Sequence, residues 1–169
     1  MKIAILDLTR HPLPLLSGIR RAGECIKDWL SQGFSDTKFE IFDIAGGIDQ
    51  VPSMKNFDAL VVSGSERSVY DDISWYENVS DTLNESRKMG KPIIGICFGH
   101  QIMASTFGGE VRRSSRDDFV GIKKFVNIDG HKFNRFVWHH DQVTRPPDCA
   151  TVVAWSDYCP FASLKYSFP

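Results

Sequence analysis

The sequence of 169 residues predicts an α/β fold in three layers: a mostly parallel central sheet, helices on both of its faces and a β-rich C-terminal extension. Three observations carry that prediction. Short, wholly apolar runs at 3–6 and 59–62 lack polar alternation, as strands buried on both faces require. Stretches with apolar residues three or four apart separate such runs, the spacing of one-sided helices, and the alternation gives parallel βαβ units. Beyond Gly108-Gly109 the helical spacing gives way to short strand-like segments. With 42% apolar and 24% charged residues, the composition suits one globular domain over 1–169.

Residues 2–8, an apolar run closed by Asp7, are the first strand. A helix is expected from about 15 to 30, with Ile19, Ala22, Ile26, Trp29 and Leu30 on one face and Gly33 as its stop. Phe39, Ile41 and Ile44 mark a second strand, and 57–63 a third that ends at Gly64. Ile73, Tyr76, Val79 and Leu83 recur at helical spacing as far as Met89-Gly90, where glycine suits a C-cap. Residues 92–96 form the fourth strand. In the second half, 119–128, 136–138, 151–155 and 161–165 are strands separated by turn signals such as Asp129-Gly130 and Pro146-Pro147. They are expected as antiparallel additions to the parallel sheet. Trp29 and Tyr76 fit helix core faces and Trp155 a strand core, while Arg112-Arg113 with Arg116-Asp117-Asp118 reads as a solvated loop of mixed sign.

A net charge of −1 and a pI near 6.5 give no electrostatic reason for a nucleic-acid or anionic-membrane partner. The apolar runs fall far short of the roughly 20 residues that span a bilayer. Asp7 meets the N-terminal run too early for an export signal, so a cytoplasmic location is expected. Cys25, Cys97, Cys149 and Cys159 form no C-x-x-C pair, and His139-His140 has no cysteine at zinc-finger spacing. No metal, disulfide or cofactor is expected.

The informative segment is 91–104, where an apolar strand runs into Gly95-Ile96-Cys97-Phe98-Gly99 and a helix begins at once. Glycines flank the central residue at two positions either way because the turn is sharp, and a side chain there would collide with the adjoining strand or helix. Cys97 would stand exposed at the carboxyl end of the sheet. The positive end of the helix that follows favours its thiolate, a nucleophile. Cys25, Cys149 and Cys159 lack this setting and read as small buried hydrophobes.

Gly95-Ile96-Cys97-Phe98-Gly99-His100-Gln101 resembles the G-x-C-x-G-H-Q signature of class I glutamine amidotransferases, most closely the free-standing domains similar to that of GMP synthetase. Two further stretches match in the family's order. Ser63-Gly64-Ser65-Glu66 with Ser68-Val69-Tyr70-Asp71 is similar to the family's Ser-Gly-Gly-Pro loop, and Trp138-His139-His140-Asp141-Gln142 to the segment lining the glutamine pocket. The resemblance implies a flavodoxin-like fold and thiolate attack by Cys97 on the glutamine side-chain amide, giving a γ-glutamyl thioester, glutamate and ammonia. It implies oxyanion donors at the N–H of Phe98 and of Gly64 or Ser65, and a glutamine pocket formed by Gln101, His139 and His140. The partners it implies are glutamine or a γ-glutamyl compound and a synthase that accepts the ammonia.

The family's His-Pro-Glu motif does not occur in this sequence, and truncation before it is the expectation. Loss of catalysis, or a surrogate base among His100, His139 and His140, are the alternatives. His11 and His131 read as surface residues. A γ-glutamyl amide or peptide hydrolase using the same thiol, and an inactive binding module, are the rival functions.

Overall fold

The computed structural model describes residues 1–10, 20–47, 49–114 and 120–168. The chain divides into two compact units, Met1–Ile102 and Met103–Pro169.

The first unit is an α/β unit with a parallel sheet. Its elements are β1 (Lys2–Asp7), α1 (Ala22–Ser31), β2 (Lys38–Asp43), β3 (Ala59–Val62), α2 (Tyr76–Lys88) and β4 (Ile93–Gly95), followed by α3 (Phe98–Thr106), within which the unit boundary falls. The strands lie in the order β2-β1-β3-β4 and all pair in parallel. Ala4, Ile5, Leu6, Leu60 and Val62 have no exposed surface, as the unbroken apolar runs require. Ile26 and Leu30 of α1 pack on Ile3, Ile5 and Val61. Each such side chain withdrawn from water contributes about 2 kcal/mol.

The start of α1 is fixed from the sheet. Asp7 Oδ2, at the end of β1, accepts the Gly23 N–H at 3.1 Å and so caps the helix from outside. Arg21 at the N-cap binds Asp7 through Nε at 3.1 Å and Asp43 through Nη1, tying the ends of β1 and β2 to α1. The residues expected to open this helix lie outside the described residues, as does His11. At the other end of the unit, α2 stops as expected: Gly90 takes φ 63°, its N–H donates to the Arg87 carbonyl and the Lys91 N–H to that of Ser86.

Trp29 corrects the expectation of a core face, being 60% exposed. Ile26 and Leu30 define the buried stripe, and Trp29 sits about 100° around the helix from Leu30. Tyr76 is half-buried at the first turn of α2.

The second unit holds β5 (Glu110–Arg113), β6 (Val120–Asn127), β7 (Lys132–Trp138), β8 (Asp141–Arg145), β9 (Ala150–Trp155) and β10 (Ser163–Tyr166). Among the described residues they make an antiparallel sheet of order β10-β9-β6-β7 and a separate antiparallel pair, β5-β8. Among the described residues none of them pairs with the parallel sheet, to which antiparallel additions were expected. Burial alternates along most of β6, as a sheet with one covered face requires, and the turn joining β6 to β7, with Gly130 at φ 76°, closes a hairpin locally. Arg112 and Arg113 lie in β5 and not in a loop, with Arg112 paired to Glu110 at 3.1 Å; Arg116, Asp117 and Asp118 lie outside the described residues. Trp155 is 40% exposed because the alternation of β9 turns its neighbour Ala154 inward instead.

Candidate active site

Cys97 joins β4 to α3 with φ 55°, the one positive φ on a non-glycine residue among the described residues. That left-handed conformation costs on the order of 1–3 kcal/mol and persists only where the surroundings impose it. The surroundings do so by hydrogen bonds to the end of β3. The Ile96 N–H donates to the Val62 carbonyl at 3.0 Å, and the Gly99 N–H is shared between the carbonyls of Ser63 at 3.0 Å and Ile96 at 2.9 Å. The Gln101 N–H closes the first helical bond on the Cys97 carbonyl at 3.1 Å. Cys97 is exposed.

Each flanking glycine is required by a different neighbour. A Cβ on Gly95 would lie 2.7 Å from the His100 nitrogen and closer still to the Gly99 carbonyl. A Cβ on Gly99 would lie 2.9 Å from the Val62 carbonyl carbon and 3.0 Å from the Ser63 oxygen. The first would meet the helix and the second the strand, as the turn's sharpness predicts.

The loop after β3 is held from the β1 side. Ser63 is fully buried; its Oγ accepts the Leu8 N–H at 2.8 Å and donates to the Gly64 carbonyl at 2.8 Å. Gly64 comes close to the sulfur, since a Cβ built on it would stand 3.5 Å from Cys97 Cβ and 3.9 Å from Sγ. Ser65 Oγ accepts the Arg67 N–H at 3.2 Å, and both oxygens of Glu66 accept the Arg10 N–H at 3.2 Å.

Phe98 opens α3 with no exposed surface, its ring edge-on to Trp75 at 5.8 Å. As the first helical residue its N–H has no acceptor within the helix. Gln101 is 6% exposed, a buried residue of α3, while His100 beside it is half-buried. The same end of the unit carries a cavity of about 200 Å³ lined by Arg10, Glu66, Arg67, Asp72 and Trp75, among others.

His139 and His140 belong to the second unit, in the turn between β7 and β8. His139 Nδ1 lies 3.0 Å from the Asp141 carbonyl, which can only accept, so the proton sits on Nδ1. Nε2 then faces the Tyr158 hydroxyl at 3.4 Å as an acceptor. Burial lowers the imidazole below its ordinary value, against a smaller rise from the Asp141 hydrogen bond. Both ring nitrogens are engaged. His140 and His131 are exposed.

The remaining cysteines separate. Cys159 is 7% exposed, and burial pushes its thiol up to about 11. Cys149 is half-buried, whereas Cys25 is exposed on α1 and corrects the expectation of a buried hydrophobe. Among the described residues no group of three His, Cys, Asp or Glu side chains is placed to hold a metal ion, and no helix is long and apolar enough to cross a membrane.

Sequence reasoning found the elbow but missed the residues behind it. Arg10 and Trp75 sit more than about 20 positions from Cys97 and carry no motif of their own, and the bond of Glu66 to Arg10 has no signal in the loop motif that contains Glu66. Asp7 at the end of an otherwise apolar strand was the visible signal for the Arg21 network.

A parallel sheet whose fourth strand turns through a left-handed, exposed cysteine into a helix defines a strand-elbow-helix α/β protein. The family model described as glutamine amidotransferase class-I matches residues 23–165, and the chain belongs to that family. Among similar proteins, a glutamine-hydrolyzing GMP synthase subunit of Methanococcus maripaludis is 38% identical over 82 residues, 44% of this chain and 43% of that protein. Gamma-glutamyl peptidase 2 of Arabidopsis thaliana is 26% identical over 139 residues, 75% of this chain and 56% of that one. The chain thus spans about half the length of these relatives. Among solved structures, a glutamine amidotransferase from Methylobacillus flagellatus superposes with a TM-score of 0.81 at 19% identity, covering 98% of this chain and 65% of that chain. At that identity the likeness establishes the fold.

Proposed function

We propose that the chain cleaves the side-chain amide of glutamine through a γ-glutamyl thioester on Cys97, releasing glutamate and ammonia for a synthase partner. The observation that carries this reading is the exposed cysteine at φ 55° on an elbow tied to β3. The thiolate sulfur bonds to the side-chain amide carbon while negative charge develops on the carbonyl oxygen; the C–N bond then breaks, and water hydrolyses the γ-glutamyl thioester to glutamate and the free thiol. Protonation of the departing ammonia belongs, by the resemblance, to the His-Pro-Glu histidine that this sequence does not contain. The residues present supply the nucleophile and the oxyanion donors.

Peptide planarity favours Ser65 over Gly64 as the second donor, beside Phe98. The Gly64 carbonyl points to Ser63 Oγ and hence toward Leu8 beyond β1. In a trans peptide the Ser65 N–H points the opposite way. The sheet order sets β1 and β4 on opposite sides of β3, which supports this N–H, and not that of Gly64, as the donor on the Cys97 side. The Gly64 N–H, opposite a Ser63 carbonyl that accepts from Gly99, faces away from α3. Gln101, buried one turn along the elbow helix, would fix the substrate. A three-layer flavodoxin-like arrangement and a cytoplasmic location belong to the same reading.

A second reading keeps the thiol and changes the substrate to a γ-glutamyl peptide, favoured by likeness to gamma-glutamyl peptidases over 75% of this chain. The test is incubation with γ-glutamyl 4-nitroanilide, whose leaving amine is a far weaker base than ammonia and makes the least demand on a general acid. A burst of 4-nitroaniline and a γ-glutamyl adduct on Cys97, both absent in Cys97→Ser, are expected. No Cys97-dependent burst contradicts the proposal. Turnover of glutamine against a γ-glutamyl dipeptide separates the two substrates.

A further inference from the structure

The loop after β3 departs from the family's Gly-Gly-Pro at two of its three positions, and the structure holds both replacements by hydrogen bonds. Ser65 Oγ accepts the Arg67 N–H at 3.2 Å, and the Glu66 carboxylate receives the Arg10 N–H on both oxygens at 3.2 Å. Arg10 is itself set in place: Asp7, fully buried and bound to Arg21, accepts the Thr9 N–H at 3.0 Å and the Thr9 hydroxyl at 2.5 Å, turning the chain after β1 toward the loop. One residue earlier, the Leu8 N–H holds Ser63 Oγ, and through it the Gly64 carbonyl. The chain after β1 therefore grips the loop at Ser63 and at Glu66, on either side of the Gly64-Ser65 peptide.

We propose that Glu66 is a positioning residue for the oxyanion site: its carboxylate, anchored on the Arg10 N–H, does by hydrogen bonding what proline does by ring closure in the family's loop. A proline stiffens a turn by fixing φ, at the cost of a donor. A carboxylate clamped on a backbone N–H stiffens it by a charge-assisted bond, the stronger kind. The two grips restrain the peptide plane between them and so hold the direction of the Ser65 N–H. A preorganised donor of this type acts only once charge has built up on the carbonyl oxygen. Loss of the Glu66 anchor must therefore slow bond making to carbon and leave ground-state binding nearly unchanged.

The inference rests on the proposed reading of Cys97, and the burst of 4-nitroaniline tests it with the chain as it exists. Burst rate against γ-glutamyl 4-nitroanilide concentration gives the limiting acylation rate and the apparent binding constant separately. Glu66→Ala is expected to lower the limiting rate about tenfold, a fraction of the 10²–10³ that loss of a whole oxyanion donor costs. The half-saturating concentration should change less than about twofold, and reaction of Cys97 with iodoacetamide should stay at the wild-type rate. Glu66→Gln keeps an acceptor for the Arg10 N–H and should recover at least about half of the lost rate. A limiting rate in Glu66→Ala equal to wild type, or a loss expressed wholly in binding, overturns the positioning role while the reading of Cys97 stands. Absence of any Cys97-dependent burst in the wild-type chain overturns both.

Discussion

Cys97 and Cys159 carry the same thiol into opposite surroundings. Cys97 is exposed in a left-handed turn at the head of α3. Cys159 is 7% exposed in a tight turn, its N–H donating to Ser156 Oγ at 3.0 Å, its thiol pushed up to about 11 by burial. Cys25 adds a third case, exposed on α1 but away from any elbow. The contrast teaches that exposure alone does not make a site. The strained backbone, the closely approaching Gly64 and the helix start distinguish Cys97, and each can be removed separately.

The largest expected effect is in thiol chemistry. At pH 8 a thiol with a pKa near 11 is about one part in a thousand thiolate. Iodoacetamide should therefore label Cys97 at least about a hundredfold faster than Cys159, as peptide mapping would measure; comparable rates would break the contrast. Next comes Gly99→Ala, which forces a methyl against the carbonyls of Val62 and Ser63. It should cost about 3 kcal/mol in denaturant unfolding.

Gly64→Ala should leave stability within about 1 kcal/mol, because its Cβ meets Cys97 at ordinary contact distances. It should nevertheless slow acylation about tenfold, since the methyl stands 3.9 Å from the sulfur where a carbonyl must approach. Cys97→Gly should be inactive yet more stable by about 1 kcal/mol, because glycine relieves the positive φ.

His139 gives the smallest effect. Burial lowers its imidazole below 6.5, so between that lowered value and 6.5 the unfolded chain binds more protons than the folded one. Its contribution is whole above 6.5 and is lost as the pH falls through that window. His139→Gln should flatten the decline in unfolding midpoint between pH 7 and pH 5.

Much of this was legible in the residues because strong local patterns report strong local physics. Unbroken apolar runs forecast β1, β3 and β4, and two glycines around Cys97 forecast the elbow. Where the outcome depends on distant partners, the pattern failed. Trp29 and Trp155 looked like core residues because aromatic side chains usually are, but one lies off the buried stripe of α1 and the other on the outward phase of β9. β5 and β8 escaped notice because Glu110, Arg112 and Arg113 are polar residues whose strand character comes from pairing with Arg145, Gln142 and Asp141. The grip of the chain after β1 on Ser63 and Glu66 joins residues 55 and 56 positions apart, a distance at which spacing carries no signal.

The most direct measurement is reaction with a diazo-ketone analogue of glutamine followed by peptide mapping. The account predicts a single adduct on Cys97, suppressed by excess glutamine, with exposed Cys25 left unmodified. An adduct on Cys25 at a similar rate, or a Cys97 adduct that glutamine does not suppress, would contradict it.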